Sequence, residues 1–141
     1  IHMRPKKKVL LVDTDENRLS ILRFVLKVHR YAVRGVDNSI SAIADIVDWD
    51  PELIIVSTPL PSVNLRKLFA DFTNISPAMS TLLISDKSLL LDQGYAQATL
   101  LSTVRPAELL ERVKALVARK RGPRKFPVRS VTPEVAVRRI A

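Results

Sequence analysis

The chain has 141 residues and an apolar fraction of 47%, enough to build one domain around its own core and too much for a disordered polymer. It contains no cysteine and only two histidines, which excludes a disulfide framework, a cysteine nucleophile and a thiolate or His-based metal cluster. The formal charge of +9 sits at the two ends: Arg4, Lys6, Lys7 and Lys8 open the chain, eight basic residues against Glu134 close it from Arg119 onward, and Val9–Ala118 carries −2.

Ile1-His2 ahead of Met3 reads as a tag remnant, and residues 1–6 as that remnant plus a basic arm. Val9-Leu-Leu-Val12 is a continuous apolar run ending in Asp13-Thr14-Asp15, the pattern of a strand buried on both faces of a parallel sheet. From Asn17 to Val28, Leu19, Leu22, Phe24, Val25 and Leu26 recur at helical spacing, with Asp15 or Asn17 as the cap. Tyr31-Ala-Val33 is strand-like. Ser39–Val47 repeats the helical spacing through Ile40, Ile43, Ile46 and Val47, with Ser39 as its cap, and Asp50-Pro51 stops it. Trp49 beside that stop covers a sheet edge or anchors a contact.

Leu53-Ile-Ile-Val56 is a second buried strand, ending at Ser57-Thr58-Pro59-Leu60-Pro61, and Leu65–Phe72 follows as a helix. Thr81-Leu-Leu-Ile84 and Thr99-Leu-Leu101 are further strands, ending at Ser85-Asp86 and Ser102-Thr103. A last helix runs from Pro106 to Arg119, with proline in its first turn and Gly122-Pro123 beyond its end. The longest apolar runs are four residues, too short for a membrane span or a secretory signal, so the expected location is the cytoplasm. Strands alternating with helices of about ten residues give a doubly wound α/β domain with a parallel sheet. In such a domain chemistry gathers at the carboxyl ends of the strands, here Asp13–Asp15, Ser57–Thr58, Ser85–Asp86 and Ser102–Thr103.

Those strand ends, in that order, resemble the receiver domain of two-component response regulators over about residues 7–121. Lys8–Asp13 is similar to the family's opening strand, and Tyr31-Ala-Val33 to its second, with Arg30 where the family has glycine. Pro51–Val56 resembles the strand before the phosphorylation site, Leu60-Pro61 the methionine-proline after it, and Pro106–Val113 the start of the last helix. The resemblance implies a five-stranded flavodoxin-like receiver fold. The interval from Ser85 to Ser102 is shorter than the family's usual one, which implies a shortened or missing fourth helix.

The resemblance also implies which positions should carry chemistry. Asp13 and Thr14 stand at the acidic pair that holds Mg²⁺ in the family, with Asp15 one step on. Ser57 stands at the phospho-acceptor aspartate, Ser85 at the switch hydroxyl, and Ser102, Thr103 and Leu100 at the lysine, the cis-proline and the switch aromatic. Histidine-to-aspartate phosphoryl transfer needs a carboxylate nucleophile, Mg²⁺ favours carboxylate oxygens, and the lysine neutralises a phosphoryl oxygen. With Asp13 and Ser85 alone remaining, the expectation is a degenerate receiver with no cofactor, no enzymatic activity and no metal beyond a vestigial Asp13.

The resulting expectation is an atypical receiver in two-component or phosphorelay-type signalling. It is not phosphorylated on Asp and acts as a protein–protein interaction module with a signalling partner or a second copy. Two alternatives stand beside it. The basic tail, residues 122–141 with a short terminal helix, would grip nucleic-acid phosphates in a regulator of another kind; or the domain is a receiver with an unconventional acceptor. Asp13 and Asp15 read either as remaining Mg²⁺ ligands or as a loop and helix cap. Ser57 reads as the filler of a dead pocket or as a kinase target.

Overall fold

The computed structural model of the protein describes residues 6–60, 64–86 and 96–118. Their elements run β1 (Lys8–Val12), α1 (Glu16–Val28), β2 (Ala32–Val36), α2 (Ser39–Trp49), β3 (Leu53–Ser57), α3 (Leu65–Ile75), β4 (Ser80–Ser85), β5 (Ala98–Leu101) and α4 (Pro106–Ala118). The five strands form one sheet in the order β2-β1-β3-β4-β5, and every pairing is parallel. This is the doubly wound α/β architecture that the alternation of elements predicts. The basic tail lies outside the described residues. So do residues 87–95, on which the expectation of a shortened or missing fourth helix rests.

The period-two geometry of each strand divides the core between two layers. Val9, Leu11, Leu53, Ile55, Leu82 and Ile84 face Leu19 and Leu26 of α1 and Leu109, Val113, Leu116 and Val117 of α4. Leu10, Val12, Ile54, Val56 and Leu83 face Ala42 and Ile46 of α2 and Leu68, Phe69 and Phe72 of α3. A strand with helices on both faces has no solvent side, so the unbroken apolar run of β3 is what its central place requires. The rings of Phe69 and Phe72 meet edge to face with centroids 5.6 Å apart, which adds about 1 kcal/mol to the burial itself.

Several boundaries differ from those the sequence suggests. The second strand is Ala32–Val36, not Tyr31–Val33, because it pairs with all five residues of β1 from Lys8↔Ala32 to Val12↔Val36. An edge strand tolerates the Arg34 and Gly35 that break its apolar pattern. A Cβ at Gly35 would stand 2.7 Å from an Arg23 nitrogen and 2.9 Å from a Leu19 methyl, so α1 seats closely on β2. The cap of α2 is Asn38, not Ser39. Asn38 is extended and its side chain accepts from the Ser41 amide at 2.7 Å, while Ser39 is already helical.

At the other end of α1, Arg30 has φ of 72°, in the left-handed region that glycine occupies most easily. Asp50, which follows α2, is left-handed as well, with φ of 53°. Trp49 is half-buried against the α2–α3 core. Arg34 lies over its ring at 4.7 Å and Lys8 at 5.9 Å, so the lone tryptophan covers a sheet edge, as the first of its two readings has it.

Candidate functional site

The strands end nearly level. Val12 pairs with Val36 and Val56, Ser57 with Ile84, and Ser85 with Leu101. The chain beyond them is held by backbone bonds from Asp13 N–H to Val36 O (3.0 Å), Thr58 N–H to Ile84 O (2.9 Å) and Ser102 N–H to Ser85 O (2.8 Å). The carboxyl edge of the sheet therefore carries Asp13, Ser57, Thr58 and Ser85, all buried, with Ser102 and Thr103 in the exposed turn after β5.

Asp13 is 1% exposed, and a carboxylate so placed requires compensating donors. It has three. The Asp15 amide donates to Oδ1 at 2.9 Å. Arg18 donates from Nη2 to the same oxygen at 2.9 Å and from Nε to Oδ2 at 2.5 Å. This is the two-pronged guanidinium–carboxylate pairing, the strongest of the charge-assisted arrangements. Arg18 Nη2 also donates to the Thr58 carbonyl oxygen at 3.3 Å, so one guanidinium ties the ends of β1 and β3 together.

The helix start positions that arginine. Asp15 is the cap of α1, accepting from the Asn17 and Arg18 amides at 3.0 and 3.2 Å. Arg18 follows in the first turn, where side chains lean back toward the helix N-terminus and hence toward the strand end. Its pKa is raised above the ordinary guanidinium value, chiefly by the hydrogen bond to Asp13 and against the desolvation that burial imposes; the charges of Asp13, Asp15 and Asp86 add to the rise. The cation is therefore fixed at every pH at which the protein would be handled.

The remaining positions bring hydroxyls or apolar groups, not carboxylates. The exposed Thr14 donates its hydroxyl to the Pro59 carbonyl oxygen at 3.4 Å. Ser57, 1% exposed, makes no side-chain hydrogen bond among the described residues. Thr58 turns its hydroxyl to Ile84 O at 3.3 Å, and a cis peptide bond joins it to Pro59. Ser85 is fully buried. Leu100 is half-buried and packs on the core that faces α1 and α4.

This donor set does not fit a divalent cation. Both oxygens of Asp13 are taken by hydrogen-bond donors, Asp15 is occupied as a helix cap, and Thr14 and Ser57 bring hydroxyls where hard cations favour carboxylates. Among the described residues no three Asp, Glu or His side chains converge on a point. Of the two readings of Asp15, the helix cap is the one its hydrogen bonds match. Arg18 is the residue that sequence reasoning missed; it appears there only as a polar break in an amphipathic helix. Its signal is an arginine three residues after a capping aspartate, which itself follows a buried strand-end aspartate.

No family model matches the chain, and no curated protein matches it. Among solved structures it is similar to a CheY-like response regulator receiver domain protein from Methanospirillum hungatei, at 22% identity over 81% of this chain and 95% of that one, with a TM-score of 0.75. It is also similar to the response regulator TrrA from Thermotoga maritima in complex with Mg²⁺ and BeF, at 20% identity over 78% and 98%, TM-score 0.71. A third is the non-phosphorylated HemR receiver domain from Leptospira biflexa, at 18% identity over 84% and 100%, TM-score 0.73. The chain has the receiver fold.

Proposed function

We propose that this receiver-fold domain acts in two-component or phosphorelay-type signalling as a protein–protein interaction module that takes no phosphoryl group on Asp. The observation that carries the reading is the Arg18 grip on Asp13, beside a serine at the acceptor position. In a working receiver, a metal ion and a lysine arrive at a cluster of carboxylates to neutralise a transferred phosphoryl group. Here a permanent cation already neutralises Asp13, the one buried carboxylate among the described residues, and among those residues the Ser57 hydroxyl has no hydrogen bond to a base that would activate it.

In this reading the domain has no enzymatic activity of its own and works in the cytoplasm. Among the described residues no helix is long and apolar enough to cross a membrane. Partner binding, not acyl phosphate, sets its state. Incubation with acetyl phosphate and Mg²⁺ followed by intact-mass measurement is the test. The expected mass is unchanged, and a gain of one phosphoryl group refutes the reading.

A further inference from the structure

Two helices on opposite sides of the sheet each turn an apolar line outward. On α1 it is Ile21, Phe24 and Val28, which are 62%, 69% and 59% exposed. Their i, i+3, i+7 spacing puts them on one line of the helix, away from the Leu19 and Leu26 that face the core. On α2 it is Ile40, Ala44 and Val47, at i, i+4 and i+7; Ile40 is 81% and Val47 68% exposed, and Ala44 is exposed. Scattered apolar residues at a surface need no explanation, but continuous lines do. α3 and α4 present no such line: among the described residues, the other large exposed apolar side chains are Ile75 and Leu101, the last residues of α3 and β5.

The charges beside the two lines are opposite. α1 carries Arg18, Arg23 and Lys27 against Glu16, with Asp15 just before it and Arg30 just beyond its end. α2 carries Asp45 and Asp48 and no base, with Asp37 just before it and Asp50 just after. Some of this charge is satisfied internally, Arg18 by Asp13 and Asp45 by Arg34 at 3.5 Å, and Asp50 is engaged within the chain as well. Lys27 and Asp48, both exposed, make no ion pair among the described residues.

We infer that the occupant of the α1 line is the α2 line of a second copy of this chain. Apolar residues then meet apolar residues while a basic margin meets an acidic one, and such complementarity both steers encounter and fixes register. The geometry adds a restriction. α1 shares its layer with α4 and α2 with α3, so the two lines look away from each other across the sheet. One partner cannot cover both. The contact is head-to-tail, which closes into a ring or continues as a filament and does not stop at a two-fold dimer.

The inference rests on the exposed faces of α1 and α2 and their placement, and is independent of whether Ser57 accepts phosphate. Sedimentation of the full chain over a rising concentration series tests it. The expected average mass climbs past that of a dimer. Phe24→Asp breaks the α1 face and Val47→Lys breaks the α2 face, both at exposed positions where folding is insensitive to substitution and circular dichroism confirms the fold. Each variant alone is expected to sediment as a monomer. Mixed in equal amounts, each supplies the face the other lacks, and the mass rises to that of a dimer and stops. A wild-type chain that stays monomeric throughout, a wild-type mass that levels off at a dimer, or a mixture that remains monomeric overturns the inference.

Discussion

The interior of β1 and β3 and the residues one step past it follow different rules, although they are equally buried. Val9–Val12 and Leu53–Val56 lie at 0–1% exposure, and Asp13 and Ser57 lie at 1%. Inside the strands a side chain needs only to be apolar and to fit, because burial contributes about 1.5–3 kcal/mol to each regardless of which neighbour it meets. At the strand ends a buried polar group depends on a specific partner, and the identity of that partner decides what the site can do. Asp13 has found an arginine; Ser57, among the described residues, has found no side-chain partner. One buried surface is generic and the other is particular, and only the second bears on function.

Substitutions on either side of that boundary sharpen the contrast. In the apolar frame, Phe72→Ala removes a fully buried ring that touches Phe69, and the expected loss is about 4 kcal/mol in urea unfolding. At the carboxyl edge, Arg18→Met leaves Asp13 buried without its cation, with an expected loss of about 3 kcal/mol. Adding Asp13→Asn to that variant should recover much of the loss. A double-mutant cycle showing no coupling between the two positions would mean that the pair does not support the edge.

Smaller effects come from the turns that flank the site. Arg30→Gly relieves a left-handed backbone at φ of 72° and should raise stability by about 1 kcal/mol; a destabilised variant would show that the arginine side chain outweighs its backbone cost. The smallest effect is one of pH. Burial raises the pKa of Tyr31 above the ordinary tyrosine value. Its stabilising contribution is complete below about pH 10 and is lost as pH climbs through the raised value. Unfolding followed between neutral and strongly alkaline pH should show that decline in the wild type and a flatter profile in Tyr31→Phe.

The same boundary separates what could be read in the sequence from what could not. β3 is legible because an apolar run of four residues has few places to go in a chain of alternating strands and helices. The Asp13, Ser57 and Ser85 positions are legible because they follow such runs directly. The cap of α2 is ambiguous by one residue in the sequence, since Asn38 and Ser39 are both good caps and only the extended backbone at Asn38 decides between them. The second strand runs beyond its own apolar pattern because its pairing with β1 determines where it ends. Arg18 was invisible as a site residue for a related reason. On a helical wheel it is one more polar residue; its meaning appears only when the helix start is laid against the end of the strand before it.

That arginine has a consequence for how the domain could be regulated. A dissolved ion is present at whatever level its surroundings supply, and it can be withdrawn, exchanged or competed away. The Arg18 guanidinium is tethered five residues from the carboxylate it neutralises, so its effective concentration is written into the chain and does not vary with supply. A chelator leaves that pairing untouched, and what would undo it is a pull on the first turn of the helix away from its sheet.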